Sequence, residues 1–105
     1  MLRVYPVVLE TIEALRVVTA QIERRDRDLG RQLRRAASSV ALNVAEGMYS
    51  RGQLRQARYH TALGSARETL ACLETALAWG YVAALEPALV SKLHRIIGTF
   101  VRLAA

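Results

Sequence analysis

Seven arginines carry the most suggestive chemistry in this sequence. Arg31, Arg34 and Arg35 fall in one short run, Arg51, Arg55 and Arg58 in another, and Arg67 follows. A guanidinium group is a planar, permanently charged fork that matches two phosphate oxygens at once. From Arg24 to Arg67 there are ten arginines against three acids (Asp26, Asp28 and Glu46), a net of +7. The remainder of the chain holds five basic and six acidic residues, a net of −1, so one stretch supplies all of the overall +6. Both Arg runs fall in the first turns of expected helices, where free N–H groups already favour anions. Together they suggest contacts to a phosphate backbone. The competing reading is an Arg-rich face that is merely solvated.

Other chemistries find less support. His60 and His94 are isolated, and no E-x-x-H pair of the di-iron bundles occurs. There is no Gly-rich phosphate loop. The single cysteine, Cys72, excludes an internal disulfide and a multi-Cys zinc site, and reads as a small packing residue. No metal, no cofactor and no catalysis are therefore expected. Aromatic residues make up 6%, which is thin for a protein that reads single strands by stacking. One cysteine suits a reducing compartment. No apolar run approaches the ~18 residues of a spanning helix, and Met1–Pro6 lacks the apolar core of a signal peptide. A soluble, cytoplasmic protein with no membrane partner is the expectation.

The elements that must position these arginines are helical. A chain of 105 residues, 52% hydrophobic, suits one domain over 1–105. The apolar spacing is helical nearly throughout. Val8, Ile12, Leu15 and Ile22 define a first helix, with Pro6 in its first turn. Glu23 to Asp28 reads as a charged connector. A second helix is expected from about Leu29 to Glu46, with Leu33, Ala36, Ala37, Val40 and Val44 on its apolar stripe and Gly47 as its stop. Ser50 and Gln53 have the spacing of a capping box. They would open a third helix from about Arg51 to Trp79. Its Tyr59, Leu63, Ala66, Leu70, Leu73 and Leu77 form a heptad seam, and Gly80 ends it. A fourth helix starts near Glu86-Pro87 and presents Leu89, Leu93, Ile96 and Phe100. The fold class is all-α: an up-and-down antiparallel four-helix bundle.

Two surfaces exceed what a plain bundle needs. Arg31, Arg35, Ser38 and Leu42 fall opposite the Leu33/Val40 stripe at about 100° per residue, with Ala41 and Ala45 to one side. Leu42 is either a lone surface leucine or a contact with another chain. Gly64, Ser65, Cys72, Ala76 and Trp79 lie away from the heptad seam of the third helix. Gly64 in a helix interior costs ~1 kcal/mol against Ala. A packing reason is expected, inside the monomer or between subunits.

The run from Gln32 to Gly47, Gln-Leu-Arg-Arg-Ala-Ala-Ser-Ser-Val-Ala-Leu-Asn-Val-Ala-Glu-Gly, resembles the core of the four helix bundle protein family. That family was first noticed as reading frames in intervening sequences of 23S ribosomal RNA genes. Tyr59 to Thr69, with Gly64-Ser65 and Glu68, resembles its second block. Leu77 to Val82 matches its usual ending loosely, with Trp79 where Leu is common. The likeness spans about residues 29–82; the family's opening Trp-x-x-[AS] segment is missing. The resemblance implies a left-handed bundle assembled as a homopentamer. It also implies kinship with the accessory protein of diversity-generating retroelements, a basic pentamer that binds nucleic acid and its reverse transcriptase. The expected partners are therefore further copies of the chain, RNA or DNA, and a reverse transcriptase. Within these blocks, Ser39, Asn43, Glu46, Ser65 and Glu68 read as a structural polar network that fixes helix register, with a ligand site as the alternative. A protein–protein adaptor ring is the rival to nucleic-acid binding.

Overall fold

The computed structural model describes residues 2–105. Four helices follow in chain order: α1 (Val4–Arg25), α2 (Arg27–Met48), α3 (Gly52–Ala78) and α4 (Pro87–Leu103). Each packs against its sequence neighbours and α1 also meets α4, which closes an up-and-down bundle; α2 and α3 form the most extensive pairing. Small residues explain that closeness: Ala36 and Ala37 on α2 and Ala62, Ala66 and Ala76 on α3 are all buried.

The core has two parts. One gathers Val4, Val8, Val40, Val44, Tyr59 and Phe100 near the α2–α3 turn. The other gathers Leu15, Ile22, Leu33, Leu73, Leu89 and Leu93 towards the opposite end. A void of about 10 Å³ lies in the bundle and is lined by Thr11, Thr69 and apolar neighbours. Thr11 and Thr69 are buried there, and each hydroxyl donates to a carbonyl one turn back, Val7 at 2.6 Å and Ser65 at 2.8 Å.

The charged connector expected over Glu23–Asp28 does not form. Those residues continue the helices, and Asp26 alone breaks them with φ −152°. Its carboxylate accepts the Leu29 N–H at 3.0 Å, a side-chain cap that lets so short a link work. Gly30 makes the tight turn possible: a Cβ there would lie 2.2 Å from the Glu23 Cγ and 2.9 Å from its Cα.

The second turn also differs from expectation. Gly47 does not stop α2, which runs on to Met48. Its role is close approach, since a Cβ would sit 2.3 Å from the Tyr59 ring. The Ser50/Gln53 capping box is absent. Ser50 Oγ instead donates back to the Glu46 carbonyl, and Arg51 occupies the cap position of α3 without a side-chain hydrogen bond. Gly52 opens α3 at φ +56°, a value that favours glycine.

The buried face of α3 is broader than one heptad seam. Cys72 and Ala76 lie inside the core, whereas Leu77, assigned to the seam, is exposed. Gly64 is exposed, and a methyl group there would meet nothing within 4 Å, so no packing inside the chain accounts for it. Helix lengths explain one further feature. With 27 residues, α3 runs about 40 Å and spans the 42 Å long axis, whereas α4 with 17 residues reaches about 26 Å. The first turns of α3 overhang, and residues 51–58 are all exposed.

Candidate nucleic-acid interface

The site grows from the way α2 is oriented. Its Leu33, Val40 and Val44 are buried, so Arg31, Arg35, Ser38 and Leu42 point outward, and none of the four belongs to the core. Arg34 lies to one side of that face, towards α1, and forms an ion pair with Glu23. Gln32 lies to the other, and its Nε2 donates to Glu68 Oε2 at 3.3 Å. Two shallow depressions run along this surface. One is lined by Asp28, Arg31, Gln32, Arg34 and Arg35, the next by Arg34, Arg35, Ser38, Ser39, Leu42 and Asn43.

The seven arginines do not share one plane or one state. Arg34–Glu23 is the only carboxylate pairing of an arginine among the described residues. Arg55 turns back from the first turn of α3: its Nε donates to the Gly47 carbonyl at 3.2 Å and the Ser50 carbonyl at 2.9 Å. A cation there complements the C-terminal end of α2. Arg58 Nη1 makes a long contact of 3.4 Å to Asn43 Oδ1. Arg51 is exposed at the tip. Arg67 lies nine residues beyond Arg58, about 180° around α3 at 100° per residue. It therefore faces away from the α2–α3 seam and cannot belong to the same surface. The start of α2 also differs from expectation, because Asp26 caps it and Asp28 sits in its first turn. The arginines of α2 thus act as an outward row and not as an N-terminal cluster.

The polar network forms in part. The hydroxyls of Ser39 and Ser65 share a hydrogen bond of 2.7 Å, and Asn43 Nδ2 donates to Ser39 at its carbonyl (2.9 Å) and its hydroxyl (3.1 Å). All three side chains are half-buried, which gives these bonds value in fixing the register of α2 on α3. Glu68 joins a separate contact with Gln32. The exposed Glu46 side chain has no partner among the described residues; only its carbonyl is used, by Ser50 and Tyr49. With Ser39 opposite Ser65, Glu46 and Glu68 stand roughly 15 Å apart along the helices, too far to act together.

Sequence reasoning missed Glu23 and Gln32, because both pairings cross between helices whose register no local spacing reveals. It also missed a cluster at the other end of the bundle, where Arg25, Trp79 and Tyr81 meet. Desolvation and the Asp26 carboxylate push the Tyr81 phenol above its usual range, with Arg25 pulling the other way. Burial, with the Glu68 charge beside it, pushes the Cys72 thiol up. The described residues hold no group of three His, Cys, Asp or Glu able to bind a metal. No helix among them is long and apolar enough to cross a membrane.

A four-helix bundle whose second helix carries an outward row of arginines defines the class. The family model for the 23S rRNA-intervening sequence protein matches residues 2–99, and the chain belongs to that family. The match extends through α1 and most of α4, well beyond residues 29–82. It accords with an α1 of 22 residues, as long as α2. No curated protein and no solved structure matches the chain.

Proposed function

We propose that this protein is a non-catalytic nucleic-acid-binding bundle that contacts the phosphate backbone through the outward face of α2. The observation that carries this reading is the state of Arg31 and Arg35. Both are exposed, lie one turn apart, line the same depression, and have no carboxylate partner among the described residues. Arg51 and the free nitrogens of Arg58 extend the cationic surface towards the tip, while Arg34 is held by Glu23. Membership of a family named for an intervening sequence of 23S rRNA supports an RNA-linked role, and the resemblance to the accessory protein of diversity-generating retroelements extends it to a reverse transcriptase.

Self-association would multiply the surface. Leu42, Tyr49 and Leu54 are 66%, 89% and 63% exposed. Gly64 lacks an intrachain reason for a residue that weakens a helix by ~1 kcal/mol. These features favour further copies of the chain seated on the hairpin, in the pentamer that the family resemblance implies. They equally suit the rival reading, a ring that docks a protein partner. Binding of an RNA or DNA strand by fluorescence anisotropy across a salt series tests the proposal. Affinity should fall steeply from low to moderate salt, with the oligomer unchanged. Absence of binding at low salt, or a flat response, leaves the adaptor reading in its place.

A further inference from the structure

Aromatic residues are few, yet two of them stack at the end of the bundle remote from the α2–α3 turn. The C-terminus of α3 builds this arrangement. Gly80 adopts φ +78°, its N–H donates to the Leu77 carbonyl at 3.0 Å, and the Tyr81 N–H donates to the Ala76 carbonyl at 2.9 Å. That is a Schellman motif, and it fixes Trp79 and Tyr81 on either side of the glycine. Their rings lie 17° from parallel with centroids 6.3 Å apart, within the range of offset stacking.

Tyr81 is the anchored member. It is half-buried, its hydroxyl donates to Asp26 Oδ2 at 3.3 Å, and the Arg25 guanidinium stands 5.5 Å from its ring centroid. The other oxygen of Asp26 caps α2. One carboxylate thus ties the aromatic pair to the start of the helix that bears Arg31 and Arg35. Trp79 is different. It is 68% exposed, and Tyr81 lies alongside its ring in a laterally displaced stack. The core closes without it.

We propose that Trp79, set beside a Tyr81 ring that Arg25 covers, is a stacking platform for an unpaired nucleobase of a bound strand. The inference rests on the phosphate-binding reading of α2 and adds to it a preference for unpaired segments. Arg31 lies five residues beyond Asp26, about 7.5 Å along α2. The platform thus stands at the end of α2 from which the arginine row begins, and a strand that spans both would place a base on Trp79 and phosphates on the arginines. Every base has a π-face, so the platform is tolerant of sequence. A duplex, with its bases already stacked, gains nothing from it.

Trp79 is the only tryptophan, so intrinsic tryptophan fluorescence reports on the platform alone. The test titrates the intact protein at low salt with a single-stranded oligouridylate and with an abasic strand of equal length, reading affinity by anisotropy of end-labelled strands. The oligouridylate should quench Trp79 emission; the abasic strand should bind without quenching. Trp79→Ala, at an exposed position, should weaken oligouridylate binding about tenfold and leave abasic binding unchanged, with Trp79→Phe recovering part of the loss. Binding of oligouridylate without quenching, or equal affinity for Trp79→Ala, overturns the platform and leaves the phosphate surface standing. Failure of both strands to bind removes the phosphate surface, and the platform with it.

Discussion

The outward face of α2 and the α2–α3 turn are both rich in arginine, but their guanidinium groups meet different partners. On α2, Arg31 and Arg35 project from a helix whose opposite side is locked into the core, and no carboxylate answers them among the described residues. At the turn, Arg55 bonds one carbonyl at the end of α2 and one in the connection, Gly47 and Ser50, and Arg58 leans on Asn43. Beneath the turn, Gly47 lets the Tyr59 ring approach, and Tyr59 packs on Phe100 with centroids 5.4 Å apart. One residue type thus serves two purposes: at the turn it ties down the Gly47 and Ser50 carbonyls, and on α2 it leaves charge available. Stability and binding should therefore respond to different arginines.

The largest stability effect is expected beneath the turn. Gly47→Ala forces a methyl group against Tyr59, and overpacking of this kind costs about 1–3 kcal/mol. Urea unfolding should show the loss, while on the proposed reading the folded variant should bind an RNA strand as the unaltered protein does. A value near zero would mean that the turn is not seated on the core as described. Arg55→Ala comes next. Loss of its hydrogen bonds to the Gly47 and Ser50 carbonyls should cost roughly 0.5–1.5 kcal/mol, given how exposed the site is. Its salt dependence of binding should change little; a large change would place Arg55 with the binding arginines and blur the contrast. The smallest effect is expected from Glu23→Gln. A surface ion pair is worth about 0–1 kcal/mol, so stability should barely move. Arg34 is released to the outward row, and RNA binding should tighten with a steeper salt dependence. Weaker binding would show that Glu23 positions Arg34 productively.

The four helices are legible in the sequence because their burial is periodic. Leu33, Val40 and Val44, or Leu89, Leu93, Ile96 and Phe100, announce one face each, and those residues are buried. The outward placement of Arg31, Arg35, Ser38 and Leu42 follows from the same periodicity. The turns are less legible. Asp26 hides in a run of charges that looks like a linker, and Gly47 and Gly30 act through what approaches them and not through their own backbone angles. The pairing of Arg34 with Glu23 depends on the crossing of α1 over α2, which the sequence does not encode locally. Ser39, Asn43 and Ser65 meet, whereas Glu46 and Glu68, read with them as one polar network, lie apart.

The salt dependence of RNA affinity, compared between the unaltered protein and the double variant Arg31→Gln/Arg35→Gln, tests the central claim most directly. For a single strand, each phosphate contact contributes about 0.7 to the slope of log affinity against log salt. The double variant should therefore bind more weakly with a slope reduced by roughly 1.4, while its unfolding midpoint and oligomeric size stay unchanged. An identical slope and affinity in the two proteins would contradict the account.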